Sequence, residues 1–373
     1  MYILPFLVIF RYNLASYMRI YKNFNLKNYN AFKLTVFAKY FAKVNTISDL
    51  KKLLKKYRKE KKFILGDGFN TLFTKNFNGL VIKINIKGIR FIKDLPKSVL
   101  IEVGAGEDWN KFVLYSVNNN FSGIENLALI PGTVGAAPIQ NIAAYGQSFG
   151  EVALKIKGVN IYTLKEQTLL AKNSKLYYRD SLFKHELSNK FVITSVIVKL
   201  FKESHYDLNY HGRLPYESLK AELSKYGHEP YSPKDIAKAV IHLRKIKMPD
   251  FKKIGTAGSF FKNPFVSKSK FEDLKKIMPD LQAYPINKML YPHPNDPVFK
   301  LANFVKIPAG RLLDELGWKG KIINRVGTFK NHALVVINNG NATPKDIITF
   351  TNAMKKDVYI NFKIQLETEV NII

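Results

Sequence analysis

From Ile47 to Glu60 the chain reads ISDLKKLLKKYRKE, with apolar residues at helical spacing and lysines on the other face, which predicts a surface helix. The period then changes. KFILGDGFNTLF is a short β-rich run broken by two glycines, and GLVIKINIKGIRFI (79–92) and SVLIEVGAG (98–106) alternate as strands do, with Gly88 inside the first and glycine ending the second. NKFVLYSVNNN (110–120) returns to helix. IENLALIPGTVGAAPIQNIAAYG (124–146) is low in charge and dense in Gly, Ala and Pro. Linkers are polar, so this segment reads instead as backbone packed closely against something. VALKIKGVNIYTL and KFVITSVIVKLF follow as strands. Residues 232–246 (SPKDIAKAVIHLRKI) predict a helix with Ser232 as N-cap and Pro233 at its first position, closed by Met248-Pro249. Beyond lie helical FEDLKKIM, a Pro-rich passage (279–297), helix AGRLLDELG, strand HALVVINN, helix PKDIITFTNAMKKDVYI and a last strand, KIQLETEVNII.

Strands and helices mix without regular βαβ alternation, which predicts an α+β fold with a boundary near Pro249. At 373 residues the chain suits two or three domains, and 46% hydrophobic residues, with 27 Phe and 20 Tyr, supply real cores. There is no cysteine, so disulfides, thiolate metal sites and cysteine nucleophiles are excluded, which fits a reducing compartment. The 59 Lys+Arg against 29 Asp+Glu give +30, a charge that suits an anionic partner. The lysines are spread along the whole chain without an arginine-rich arm, and Asn, Ile, Tyr and Phe are abundant with them. The excess therefore reads as the codon usage of an A/T-rich genome, and no nucleic-acid module is visible. The opening MYILPFLVIF is apolar for only about ten residues, short of the roughly twenty that span a bilayer. No membrane insertion is expected, and residues 1–17 read as an upstream extension of a domain that starts near Met18.

Several motifs fail in context. Gly146-Gln147-Ser148-Phe149-Gly150 matches G-x-S-x-G, but no strand precedes it and a strand follows, the reverse of a nucleophile elbow. GAGEDW (104–109) has Trp109 where a dinucleotide fingerprint has its third glycine, and GDGFNT (66–71) fails similarly. Both loops can still offer backbone N–H groups to a diphosphate. The seven histidines lack metal spacing. Three polar constellations remain in apolar surroundings: YYRDSLFKHE (177–186), GTAGSFFKNP (255–264) and QLETEV (365–370). Each alone is also what a salt-bridged surface looks like.

NLKNYNAF, GDGFNTLF, GAGEDWNKFV, GIENLALIPGTVGAAPIQNIAAYG, YYRDSLFKHE, GTAGSFFKNP, KIPAGRLLDELGWKG, FKNHALVVINNGNAT and LETEV occur in this order over roughly residues 24–371. In these stretches the chain resembles the UDP-N-acetylenolpyruvoylglucosamine reductase family, in its long-loop (type I) subgroup. The resemblance implies an α+β protein with a two-part FAD-binding fold of the vanillyl-alcohol-oxidase type and a separate substrate-binding domain. Residues 1–20 would be an extension, 21–248 the two-lobed FAD region (lobes about 21–87 and 88–248) joined by the C-terminal strand 364–373, and 249–363 the substrate domain. It implies a cytoplasmic monomer in which NADPH reduces FAD and leaves. UDP-N-acetylglucosamine enolpyruvate then receives hydride from flavin N5 at C3 and a proton at C2, giving UDP-N-acetylmuramate for peptidoglycan precursors. The competing enzyme reading is another FAD-dependent oxidoreductase of this fold acting on a sugar or alcohol.

Carried onto this sequence, the resemblance makes Ser259 the proton donor, Arg179 the clamp on the substrate carboxylate and Glu369 the second acid. Gly258 would let the backbone come close to the ligand. The cofactor residues implied are Gly66, Gly68, Asn70, Thr71, Leu72, Ile130, Gly132, Thr133, Gly135, Ala136, Pro138, Asn141, Ile142, Ala144 and Arg244. Tyr145, Tyr210, Lys247, Asn263 and His332 fall where the family binds the UDP-sugar, and no metal is implied.

Phe69 stands where the pyrophosphate loop usually has serine, and Ala136, Ala137 and Ala143 replace the common Ser, Ser and Gly. Ala31 and Asn371 replace the usual threonine and arginine. Losing several neutral hydrogen bonds at about 1 kcal/mol each weakens cofactor retention. The purified protein is therefore expected to be yellow and to lose flavin on dialysis; stoichiometric flavin after exhaustive dialysis would contradict this.

Overall fold

The structure is a computed structural model that describes residues 18–204, 206, 209–210, 214–215, 217–284 and 303–373. The expected extension over residues 1–17, the side chain of Tyr210 and the Pro-rich passage beyond Tyr284 lie outside the described residues.

The first sheet has four strands in the order Ile20–Asn25, Phe37–Val44, Phe77–Ile84, Lys62–Leu65. The first pair is antiparallel, and Phe77–Ile84 runs parallel to both of its neighbours. Helix Ile47–Lys56 makes the crossover between the two outer parallel strands, and Thr46 caps it by accepting from Asp49 N at 3.0 Å. Seven of the eight residues in Phe77–Ile84 are buried, as a strand covered on both faces requires. Its alternate residues enter different cores. Leu80, Ile82 and Ile84 face a core shared with the second sheet, whereas Phe77 and Val81 face one shared with the C-terminal part. This period-2 division lets one sheet support both halves of the protein.

The second sheet is antiparallel, ordered Glu166–Leu170, Ala153–Asn160, Phe191–Phe201, Ser98–Gly104, Ile89–Asp94. Helices Trp109–Asn118 and Pro233–Lys247 join its core through Trp109, Phe112, Val113, Ile236 and Val240. The latter starts as the sequence indicates, with Ser232 and Asp235 in a reciprocal capping box and Pro233 at the first position.

The C-terminal part contains the sheet Ile322–Ile323, Val326–Phe329, His332–Asn338 and helix Pro344–Phe362. Trp318 fixes that helix, its ring edge-on to Phe350 and its Nε1 donating to Asp357 Oδ2 at 2.8 Å. The continuous last strand expected over 363–373 is instead divided between two partners. Residues 367–369 pair with the serine segment, and only Asn371–Ile372 forms a ladder, parallel to Thr71–Leu72 of the first half. The chain end thus ties the two halves together. Among the described residues, no helix is long and apolar enough to cross a membrane.

Ser148 is no exposed nucleophile: it is buried and caps a short 3-10 turn through Glu151. Trp109 of GAGEDW is likewise a core residue, its Nε1 donating to Leu127 O at 3.1 Å.

Candidate active site

A cleft of about 1720 Å³ runs between the two halves. Its catalytic candidates come from three distant parts of the chain. The serine segment lies between strand His332–Asn338 and the C-terminal segment. Phe260 N donates to Leu334 O, and Glu369 N donates to Phe260 O, both at 2.9 Å. Ser259 pairs with Val335, and Phe261 pairs with Thr368. Ser259 and Glu369 therefore stand on adjacent extended segments in one register. Gly258 has φ +76°, where glycine is favoured, and a Cβ there would approach only Met248 Cε, at 3.7 Å. Its conformation alone is enough to call for glycine.

Arg179 reaches the same place from the first half. Its Nε lies 2.9 Å from Glu369 Oε1, with side chains only 20% and 12% exposed, and its Nη2 donates to Ala143 O at 3.2 Å. Arg179 is held in a left-handed conformation, φ +53°, within a turn closed by the Tyr177–Asp180 bridge. Lys184 Nζ donates to its carbonyl at 3.1 Å. A cation in a low-dielectric wall beside its carboxylate is fixed in advance, and it acts on incoming negative charge without first reorganising.

One stretch of the cleft wall is poor in side chains. Gly66, Gly68, Ile130, Gly132, Thr133, Gly135, Ala136, Ile142 and Ala144 line it, with Asn70 and Thr71 at the loop end and Arg244 beyond. Gly68 has φ +74°, and a Cβ on it would lie 2.2 Å from Tyr29 O. Only glycine fits there. A long wall of glycine and alanine, ending in a glycine turn and backed by a half-buried arginine, fits a flat ring with a diphosphate tail. The residues present therefore suit FAD. Phe69, in place of a hydroxyl, packs edge-on against Phe251 at 5.9 Å, so the loop gains an apolar contact with the start of the C-terminal half. Asn371 bonds back to Asn70 O through its N and its Nδ2, both at 3.1 Å.

Three residues expected at the cofactor do not line the cleft. Leu72 is fully buried in the ladder with Ile372. Pro138 is buried, and its carbonyl accepts from Asn141 N at 3.4 Å. Asn141 donates to Leu176 O and Tyr177 O and accepts from Gly150 N. Its side chain is saturated by backbone groups, and it braces the turn that carries Arg179.

Tyr145, Lys247, Asn263 and His332 all line the cleft, while Tyr210 is described only as backbone, paired with Leu214. Asn263 Oδ1 accepts from Ala309 N at 3.1 Å, which leaves its amide N–H groups to donate. Burial lowers the pKa of Lys247, at the end of its helix, and raises that of Tyr145, against which the nearby Arg244 works. Burial also lowers the pKa of Arg244.

His332 Nδ1 accepts from Leu334 N at 3.2 Å, so the ring proton belongs on Nε2. Burial, with Lys247 adding to it, pushes His332 down to about 4, and the imidazole is neutral at neutral pH. Between about 4 and the ordinary 6.5 the unfolded chain holds a proton that the folded one lacks, so stability rises with pH across that window. The contribution is at most about 3 kcal/mol. Urea midpoints measured across this range are expected to climb with pH, and His332→Gln is expected to flatten the climb.

Sequence reasoning missed Lys306. It is 4% exposed, and burial first, then the Arg179 charge, push it down to about 7. The signal available was a single lysine inside the apolar run NFVKIPAG.

The two halves match separate family models. Residues 38–169 match an FAD binding domain, and residues 249–373 match the C-terminal domain of UDP-N-acetylenolpyruvoylglucosamine reductase. The reductase of that name from Flavobacterium johnsoniae is 42% identical over 95% of this chain and 100% of its own. The one from Aliivibrio fischeri is 36% identical over 95% and 94%. The fold is similar to the crystal structure of the reductase from Thermus caldophilus, with a TM-score of 0.63 at 20% identity, covering 95% of this chain and 99% of that one. The chain therefore belongs to the UDP-N-acetylenolpyruvoylglucosamine reductase family of FAD-dependent oxidoreductases.

Proposed function

We propose that the protein reduces UDP-N-acetylglucosamine enolpyruvate to UDP-N-acetylmuramate at the expense of NADPH, a cytoplasmic step toward peptidoglycan precursors. The observation that carries this reading is the convergence of Ser259, Glu369 and Arg179 in one cleft that has a glycine–alanine wall. Residues 21–248, with the strand from 364, hold the cofactor, residues 249–363 carry the sugar nucleotide, and the active species is a monomer. FAD, bound along the glycine–alanine wall, supplies the hydride, obtained from NADPH, that saturates C3 of the enolpyruvyl group.

The protein's own groups complete the reaction. Hydride addition to a vinyl ether conjugated with a carboxylate drives electrons into that carboxylate and leaves C2 strongly basic. Arg179 binds the carboxylate and stabilises the added charge, and Glu369 holds the guanidinium in place. Ser259 Oγ delivers its proton to C2, and solvent restores the hydroxyl. An alcohol is a weak acid, yet against so basic a carbon, held in place and shielded by neighbouring aromatics, it suffices. Phe260 and Phe261, each 1% exposed, form that apolar backing. Lys247, Asn263, Tyr145 and the neutral His332 supply cation and donors for the diphosphate and sugar.

NADPH consumption should depend on the enolpyruvyl sugar nucleotide, and mass spectrometry should find a product heavier by two hydrogens. NADPH oxidation indifferent to that compound would overturn the proposal.

A further inference from the structure

Lys306 ends the strand Phe304–Lys306, which pairs with Phe265–Ser267 so that Phe265 stands opposite Lys306. Tyr284 N donates to Lys306 O at 2.8 Å, and Lys306 N donates back to Tyr284 O at 3.1 Å. Strand pairing thus fixes the backbone from which this buried lysine projects. Its Nζ lies 4.4 Å from the centre of the Tyr178 ring and 5.7 Å from that of Tyr284. Tyr178 packs edge-on against Phe265 at 6.1 Å, and the guanidinium carbon of Arg179 is 5.6 Å from the same ring. Tyr178 therefore crosses from the first half into the C-terminal half and carries two cations, one from each. The next residue is Arg179, whose left-handed backbone persists only if its surroundings hold it. Lys184 holds the carbonyl side of that turn. On the ring side stands Lys306.

We propose that Lys306 is a positioning residue, whose buried ammonium pins Tyr178 against the C-terminal half and thereby sets Arg179 at Glu369 to receive a ligand carboxylate. The inference rests on the reading of Arg179 as the carboxylate clamp. It separates Lys306 from the groups that touch ligand, because Lys306 acts through a ring and does not line the cleft.

The test is ligand binding to the flavin-loaded protein, followed by the perturbation of flavin absorbance. Two probes are compared: UDP-N-acetylglucosamine enolpyruvate, and UDP-N-acetylglucosamine, which lacks the carboxylate. Lys306→Met is expected to weaken the first about tenfold and the second less than about twofold, in keeping with loss of a desolvated cation–ring contact. Lys306→Arg, which keeps a cation, stays within about threefold of the native protein for both. Tyr178→Leu reproduces the methionine loss, and the double variant loses little more.

Among the described residues, the charged or titratable groups facing Lys306 are Tyr178, Tyr284 and Arg179. As pH rises through about 7 the native protein should lose affinity for the carboxylate probe alone, and Lys306→Arg should remove that dependence. Equal weakening of both probes by Lys306→Met, native affinity in that variant, or additive losses in the double variant would overturn the proposal. If the native protein binds neither probe, the functional reading itself fails, and that result is distinguishable from all of these.

Discussion

Replacing Ser259 with alanine is expected to leave bleaching of the flavin by NADPH nearly intact and to slow its reoxidation by the enolpyruvyl substrate by about 10²–10⁴-fold. Taking hydride from NADPH requires no proton at the serine, whereas saturating the vinyl ether requires one at C2. Ser259 is partly exposed, lies in the cleft and stands one residue before Phe260, whose carbonyl accepts from Glu369 N. Its backbone is fixed on both sides by long-range pairing, so deleting one oxygen leaves the segment in place. Transient absorbance of each half-reaction separates the outcomes. Equal loss of both would mean that Ser259 is not the proton donor.

Arg179→Ala is the second large effect. It removes the group proposed to bind the substrate carboxylate, and it strands Glu369, which is 12% exposed, without that cation. Loss of a preorganised donor of this kind lowers turnover by about 10²–10³-fold. Breaking a buried ion pair from one side also destabilises, by about 3–5 kcal/mol in a fully buried setting and less here, where water reaches both groups. Lysine is no substitute, since it lacks the planar fork that can meet Glu369 and a ligand carboxylate together. Steady-state kinetics and a urea melt of the same variant test both parts. Near-native kcat/KM would remove Arg179 from the mechanism.

Much of this was readable before any coordinates, because local rules set it. Ser232 caps its helix and Pro233 sits at the first helical position as expected, and Thr46, Thr343 and Pro344 obey the same local rules. Gly132, Gly135, Ala136, Ala137, Ala143 and Ala144 of IPGTVGAAPIQNIAAYG line the cleft, as a low-charge, side-chain-poor segment suggests. What stayed hidden depends on contacts between residues far apart in sequence. Nothing near Asn141 says that its amide will be saturated by Leu176, Tyr177 and Gly150, and nothing near Leu72 says that Ile372 will pair with it. The left-handed backbone of Gly258, φ +76°, is likewise set by the surrounding chain and has no local sign in the sequence. Phe69 read as a lost hydroxyl, and only the fold brings it to Phe251. Lys306 is hidden for the same reason, since its significance lies in two tyrosine rings, one from another half of the chain.

The most direct test is to reduce the flavin-loaded protein with one equivalent of NADPH without oxygen, mix it with UDP-N-acetylglucosamine enolpyruvate and follow the oxidised-flavin band. The account predicts rapid return of the yellow colour with one UDP-N-acetylmuramate formed per flavin. A flavin that stays bleached in the presence of that compound would contradict it.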